Sequence, residues 1–330
     1  MPSVEFSYVD SALAHMEEGG PPPFWRHFHW GLFADPTLDD DSPERYFAAA
    51  EAMTDRILEV GEVAGGRRIL DVGCGFGGTL DHLRRRFEGC ALTGINIDVR
   101  QLEWARRLLA GAASDPAGTG PASSGAERSR PGTSRADRSG ADRSGADRSG
   151  ADRSGRSVDP GVGESETAAP VAFVTADGCR LPVASGSLDH VLAVECVFHF
   201  PSRRQFFREA ARVLRPGGTL ALSDFLMAPG ALSRVAATMA GDGRGDEAWY
   251  GYVAKPLTAV GYERLARSAG FDVLVDDDVT LATLPTYPAL RRLGKGSGAP
   301  DGLETTDGVE ALATAGDLQY HVLAFRRRAD

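Results

Sequence analysis

The chain has no run of residues apolar enough to span a bilayer. Its longest apolar stretch, Val191 to Phe200, is short and carries Glu195 and His199, whereas a membrane helix needs about 20 predominantly apolar residues. It also lacks a basic excess. The formal net charge is −10, and a nucleic-acid-binding surface normally requires a basic face, so no nucleic-acid partner is expected. Its four cysteines, Cys74, Cys90, Cys179 and Cys196, contain no C-x-x-C pair. They read as reduced thiols rather than a disulfide frame or a zinc site, and no metal is expected. Residues Met1 to Gly20 show neither a basic n-region nor an apolar h-region, so no secretory leader is read and a cytoplasmic location is expected. What is present is a core: hydrophobic residues make up 42% of the 330, enough for one large or two small domains.

One segment is foreign to a packed domain. From Gly111 to Ala169 the chain is Gly, Ser, Ala, Pro, Asp and Arg with almost no aromatics or large aliphatics, and Ala-Asp-Arg-Ser-Gly repeats in tandem from Ala136 to Gly155. Such a sequence cannot bury enough apolar surface to offset its chain entropy, so a disordered insert over 111–169 is expected. A short-period solenoid is the competing reading, but nothing apolar recurs to form its core. Loop closure cost grows slowly with length, so the host domain need not suffer.

On either side, strands alternate with helices. Strands are expected at Arg68–Val72, Ala91–Asn96, Val171–Thr175, Leu188–Val194, Thr219–Ser223, Asp272–Val275 and Gln319–Phe325. Helices are expected at Glu44–Leu58, Thr79–Phe87, Asp98–Leu109, Arg203–Leu214 and Gly261–Ala269. Asp98 reads as the N-cap of its helix, with Gln101 as its capping-box partner. The alternation predicts an α/β fold, doubly wound around a mostly parallel sheet. No crossover helix is evident between the last two strands.

The most informative stretch is Arg68-Ile69-Leu70-Asp71-Val72-Gly73-Cys74-Gly75-Phe76-Gly77-Gly78. An apolar strand runs into an aspartate, a glycine-rich turn follows, and a helix begins. Glycines let the backbone bend tightly and approach a ligand, and the helix N-terminus beyond them offers unpaired N–H groups. This is the form of a nucleotide-type cofactor cradle. Gly73, Gly75 and Gly78 also satisfy the dinucleotide fingerprint G-x-G-x-x-G. With Asp71 just ahead of the first glycine, however, L-D-V-G-C-G-x-G resembles the first motif of the class I S-adenosylmethionine (SAM)-dependent methyltransferases.

Further motifs extend that resemblance. Ala176-Asp177 with Leu181-Pro182 and Ser187-Leu188-Asp189 is similar to a second family signature. Val194-Glu195-Cys196-Val197-Phe198-His199 resembles the small-molecule branch that includes tocopherol, sterol and natural-product methyltransferases. His29-Trp30-Gly31-Leu32-Phe33, in an aromatic run beginning at Phe24, resembles a segment of that branch that closes over cofactor and substrate. Gln319 to Phe325 looks like the antiparallel seventh strand of the family sheet. The resemblance implies a seven-stranded Rossmann-like sheet with an antiparallel last strand. Its domain organisation would be an N-terminal helical cap over 1–60, a core over 61–110 and 170–330 interrupted by the insert, and a substrate lid around 225–260.

The same resemblance implies SAM as cofactor. Asp71, Gly73 and Gly75 would lie along its methionine moiety. Asn96 stands where the family usually has an acid for the ribose hydroxyls; Asp98 is the alternative acid, although its cap role competes. Gln101 would complete that side, and Ile97, Asp177 and Gly178 would meet the adenine. Glu195 would shape the site. His199 is the best-placed imidazole for removing a hydroxyl proton, or it only hydrogen-bonds its own loop. His29, Trp30, Phe225, Trp249 and Tyr250 would face the acceptor. The expected reaction is methylation of a lipophilic small molecule or natural product at oxygen. The alternatives are carbon methylation of a sterol-like or prenylated acceptor, a nicotinamide-dependent oxidoreductase, and an inactive SAM-binding protein.

Overall fold

The residues that alternate along each central strand divide between two apolar layers. Leu70, Val72, Val191, Ala193, Leu220, Leu222, Leu323 and Phe325 pack on one face. Ile69, Leu192, Ala221, Val322 and Ala324 pack on the other. A period of two with both faces buried belongs to a sheet covered on both sides by helices. The computed structural model describes residues 7–17, 27–114, 171–234, 256–294 and 301–329. The chain divides into one unit of residues 1–114 and 168–330 and a second of 115–167. The second lies outside the described residues, as do nearly all of the predicted insert, Trp249, Tyr250 and most of the predicted lid.

The described part is a seven-stranded sheet in the order β3-β2-β1-β4-β5-β7-β6. Its strands are β1 (Arg68–Val72), β2 (Ala91–Asn96), β3 (Ala172–Thr175), β4 (Leu188–Val194), β5 (Leu214–Met227), β6 (Phe271–Asp278) and β7 (Leu318–Arg327). The pairs β1–β2, β1–β4, β2–β3 and β4–β5 are parallel. β7 runs antiparallel to both β5 and β6. Among the described residues no helix is long and apolar enough to cross a membrane.

The helices are α1 (Ser7–Glu17), α2 (Pro43–Val60), α3 (Gly78–Arg86), α4 (Val99–Ser114), α5 (Arg203–Val213), α6 (Ala259–Ser268), α7 (Thr280–Thr283), α8 (Thr286–Gly294) and α9 (Asp301–Thr314). Their ends follow local chemistry. Ser42 caps α2 ahead of Pro43, a residue whose fixed φ and missing N–H suit a first helical turn. Ser202 and Thr258 cap α5 and α6 through side-chain oxygens.

Three expectations change. α7, α8 and α9 lie between β6 and β7, where no helix was evident; Pro285, Pro288 and the glycines from Gly294 to Gly302 break that stretch into short pieces with weak periodicity. α4 runs to Ser114, four residues into the predicted insert. Gln101 is not the capping-box partner of Asp98. Asp98 does cap α4, accepting from the Arg100 N–H at 2.9 Å, but Gln101 Oε1 accepts instead from Asn96 Nδ2 at 3.2 Å.

Beneath the end of β5, Asp224 and Arg203 form a buried ion pair at 3.0 Å, and Tyr262 donates its hydroxyl to the same carboxylate oxygen. Removing one partner of such a pair strands the other charge in a dry core, which costs about 3–5 kcal/mol, whereas losing one hydroxyl that bonds a charged group costs about 1.5–3 kcal/mol. Asp224→Ala should therefore lower the urea midpoint far more than Tyr262→Phe. Equal midpoints for the two variants would show that Arg203 does not depend on Asp224.

Candidate active site

The carboxyl ends of the five parallel strands meet at one edge, where open α/β sheets place their ligands. Register aligns them: Val72 stands beside Ile95, Asn96 beside Thr175 and Val194 beside Ser223. The turn after β1 is tied to the next strand, because the N–H groups of Gly73 and Cys74 both donate to Ile95 O at 2.7 and 3.0 Å. A cleft opens over this turn. Asp71, Gly73, Gly75, Gly78 and Thr79 line it on one side and His27, Phe28 and His29 on the other.

The turn glycines have different physical reasons. Gly73 has φ +72, and a Cβ there would lie 2.5 Å from the Cys196 Cβ. It is glycine because the end of β4 fills that space. Gly75 has φ +52, and its nearest neighbour would be Gln101 Oε1 at an ordinary 3.5 Å, so backbone conformation constrains it and one side is left open. α3 then starts at Gly78 with no side-chain cap, leaving first-turn N–H groups for a ligand.

Asp71 is the electrostatic centre of the cleft. It is 2% exposed, its Oδ2 has no hydrogen-bond partner, and burial pushes its pKa up to about 8. An unpaired buried carboxylate is costly. It is relieved by a proton or by a cationic ligand, and the amino group of SAM is such a cation. The cradle, the uncapped helix and the orphaned oxygen together fit that cofactor.

The remaining predicted cofactor residues sit along the same edge. Asn96 is buried, and its Oδ1 accepts from the Asp98 N–H at 3.1 Å while its Nδ2 engages Gln101. Ile97 is 39% exposed, an apolar surface beside the cleft. Asp177 Oδ1 accepts from the Cys179 N–H at 2.8 Å, which fixes the turn after β3. Gly178 lies under the Phe200 ring, with a Cβ blocked at 2.8 Å.

Glu195, at the end of β4, adopts φ 47, a left-handed conformation that non-glycine residues seldom hold and that clusters at functional sites. Its Oε1 accepts from the Trp30 N–H at 3.1 Å, its N–H donates to Ser223 Oγ at 3.2 Å, and Tyr320 bonds its carboxyl. Burial raises its pKa to about 8. Trp30 packs edge-on to Phe225 and Tyr287 at 5.2 and 5.7 Å and lies nearly parallel to Tyr320. Phe198 extends this aromatic patch to Phe225, and the His199 ring lies against Phe198 at 4.4 Å. His199 ends a 3₁₀ turn, with its N–H donating to Cys196 O.

His29 is placed differently from the expectation that it faces the acceptor. Both ring nitrogens are engaged, Nδ1 with Trp30 O and Nε2 with Thr54 and His27. Burial lowers its pKa to about 4, so it is neutral and supports the cleft wall. Sequence reasoning did not single out His27, Thr79, Ser223, Tyr287 or Tyr320. His27 carried a signal in its place in the aromatic run and Thr79 in its place directly after the glycine turn; Ser223, Tyr287 and Tyr320 reach the site through folding.

Comparison with known proteins accords with this geometry. Residues 133–222 match the model of the methyltransferase domain family. Methyltransferase GfsG of Streptomyces halstedii is 31% identical over 81% of this chain and 73% of its own length. The 27-O-demethylrifamycin SV methyltransferase of Amycolatopsis mediterranei (strain S699) is 29% identical over 78% of this chain and 73% of its own. The crystal structure of the [4+2]-cyclase SpnF superposes with a TM-score of 0.62 over 98% of this chain and 96% of that one, at 20% identity. That last likeness concerns the fold.

Asp71 generates a prediction. In the free protein at pH 7 it holds its proton, since its pKa is about 8. A bound ammonium lowers that pKa. S-adenosylhomocysteine binding at pH 7 should therefore release close to one proton, and less above pH 8, where the carboxylate is already ionised. Calorimetry in buffers of different ionisation enthalpy reads this number. Asp71→Asn should abolish the release; an unchanged release in that variant would assign it elsewhere.

Proposed function

The chain belongs to the SAM-dependent small-molecule methyltransferases, and from that premise we propose that it methylates a hydroxyl group of a lipophilic natural product. The observation that carries this reading is the place of His199 in the short turn that follows β4, whose last residue Val194 lines the strand-end cleft, with the His199 ring against the aromatic patch of Phe198 and Phe225. The relative named as an O-methyltransferase of a rifamycin supports oxygen as the acceptor atom.

SAM supplies an electrophilic methyl group when bound. Asp71, Gly73 and Gly75 would hold its methionine part, Asn96 and Gln101 its ribose, and Ile97, Asp177 and Gly178 its adenine. The rest of the chain's work is alignment and exclusion of water, which contribute several kcal/mol to a direct displacement. Trp30, Phe198 and Phe225 present an apolar wall to the acceptor. His199 would accept the proton of the acceptor hydroxyl. Glu195 shapes the site, holding Trp30 through its backbone. The described N-terminal residues, 7–17 and 27–60, act as a cap, while the expected acceptor lid lies mostly outside the described residues.

Carbon methylation is the second reading. It is favoured by the same ring cluster, since aromatic faces stabilise a carbocation. Incubation with methyl-labelled SAM and extracts of candidate acceptors, followed by mass spectrometry and NMR of the product, separates a methoxy from a carbon-bound methyl. His199→Ala should lower turnover on the order of 10²-fold with S-adenosylhomocysteine affinity nearly intact. A turnover unchanged by that substitution would remove the base from the mechanism and favour the carbon acceptor.

A further inference from the structure

Three side chains from three separate elements converge beside α3. They are His27, from the segment leading to Trp30, Glu51 of α2 and His82 of α3, and one ligand atom from each lies within 4.8 Å of the others. His27 and His82 are buried, at 5% and 7% exposure. Methyl transfer gives no role to His82 or Glu51.

Hydrogen bonds fix which nitrogens carry protons. His82 Nε2 lies 2.7 Å from Asp55 Oδ1. A carboxylate accepts, so Nε2 holds a proton, and in the neutral imidazole a metal would meet, Nδ1 is a lone pair. That Nδ1 is buried with no hydrogen-bond partner in the structure. A carboxylate behind an imidazole is the arrangement that orients histidine ligands of metals. His29 Nδ1 donates to Trp30 O, so its Nε2 is an acceptor. His27 Nδ1, 3.1 Å from that Nε2, is then the donor, and the second nitrogen of His27 is also a lone pair. Arg85 occupies only Oε1 of Glu51, leaving the other oxygen of that carboxylate.

We propose that His27, Glu51 and His82 form a binding site for a divalent transition-metal ion of the zinc type, which fastens the Trp30 segment to α2 and α3. Two imidazoles and a carboxylate suit zinc and its first-row neighbours. Bonds of about 2.0–2.2 Å place ligand atoms roughly 3.3–3.6 Å apart, a spacing reached by small side-chain rotations. Water would complete the coordination.

The test uses untagged full-length protein stripped with a chelator and titrated with Zn²⁺ by calorimetry. One equivalent should bind with micromolar or tighter affinity. His82→Ala and Glu51→Gln should each lose 100-fold or more. Asp55→Asn should keep the 1:1 stoichiometry and weaken binding about 10–100-fold. His321→Ala, whose ring pairs with Asp276 at the opposite end of the sheet order, should bind as the parent does. S-adenosylhomocysteine binding and a cooperative melt verify the fold of each variant; Glu51→Gln, at a half-exposed position, serves if His82→Ala does not fold. No stoichiometric Zn²⁺ uptake by the parent, or unchanged affinity in Glu51→Gln and His82→Ala, would overturn the site.

Discussion

The contact between Gly73 and Cys196 is the constraint on which the strand-end edge depends. Cys196 presses its Cβ into the place where any other residue at 73 would carry one. Its thiol donates to Val72 O at 3.0 Å. The last turn of β1 is thereby locked to the first turn after β4, while Ile95 O locks it to β2 from the other side. Three strands then end at fixed relative heights, and Asp71, Asn96 and Glu195 inherit their positions from that lock. A preorganised edge matters for methyl transfer because alignment, rather than bond polarisation, supplies most of the protein's contribution.

Asp224, Asp71 and the partly buried Glu195 lie at or behind this edge, and each is stabilised differently. Asp224 has a cation, Arg203, and two further donors. Glu195 has hydrogen bonds from neutral groups, which leave it with a pKa of about 8. Asp71 keeps one oxygen without a partner and reaches about the same value. Only the last is poised to respond to a positively charged ligand, because a pre-existing cation or a full set of donors would already have met its need. The cleft is thus specific to charge through what it withholds from a single carboxylate.

Much of the fold was legible because its signals are local. β1, β2 and β4 match their expected bounds, since apolar runs that stop at Gly73, Asn96 and Glu195 are clearly punctuated. The helices between β6 and β7 were not legible, because Pro285, Pro288 and the glycines beyond them hide their periodicity. The placement of side chains was legible only in part. Asp71 could be put at a strand end from its neighbours in sequence. The reason for Gly73 lies 123 residues away at Cys196, and Gln101 was drawn to Asn96 rather than to Asp98 by a side-chain amide that no capping rule includes. Tyr287 packs on Trp30 from a position that carries no motif, and Tyr320 from a strand whose sequence signal gives no hint of that contact.

The segment from His27 to Trp30 has no regular secondary structure, yet it is held at both ends by groups that themselves line or border the cleft. At one end His29 bonds Thr54 of α2 and the backbone of Trp30. At the other the Trp30 N–H meets Glu195, and its ring fills the aromatic patch. A buried backbone N–H in an irregular segment needs a partner, and that of Trp30 finds one in the Glu195 carboxyl. The left-handed backbone of Glu195 turns its carboxyl to meet that need. The strain at the end of β4 and the order of the N-terminal segment therefore meet at one carboxylate, so neither can be set independently of the other.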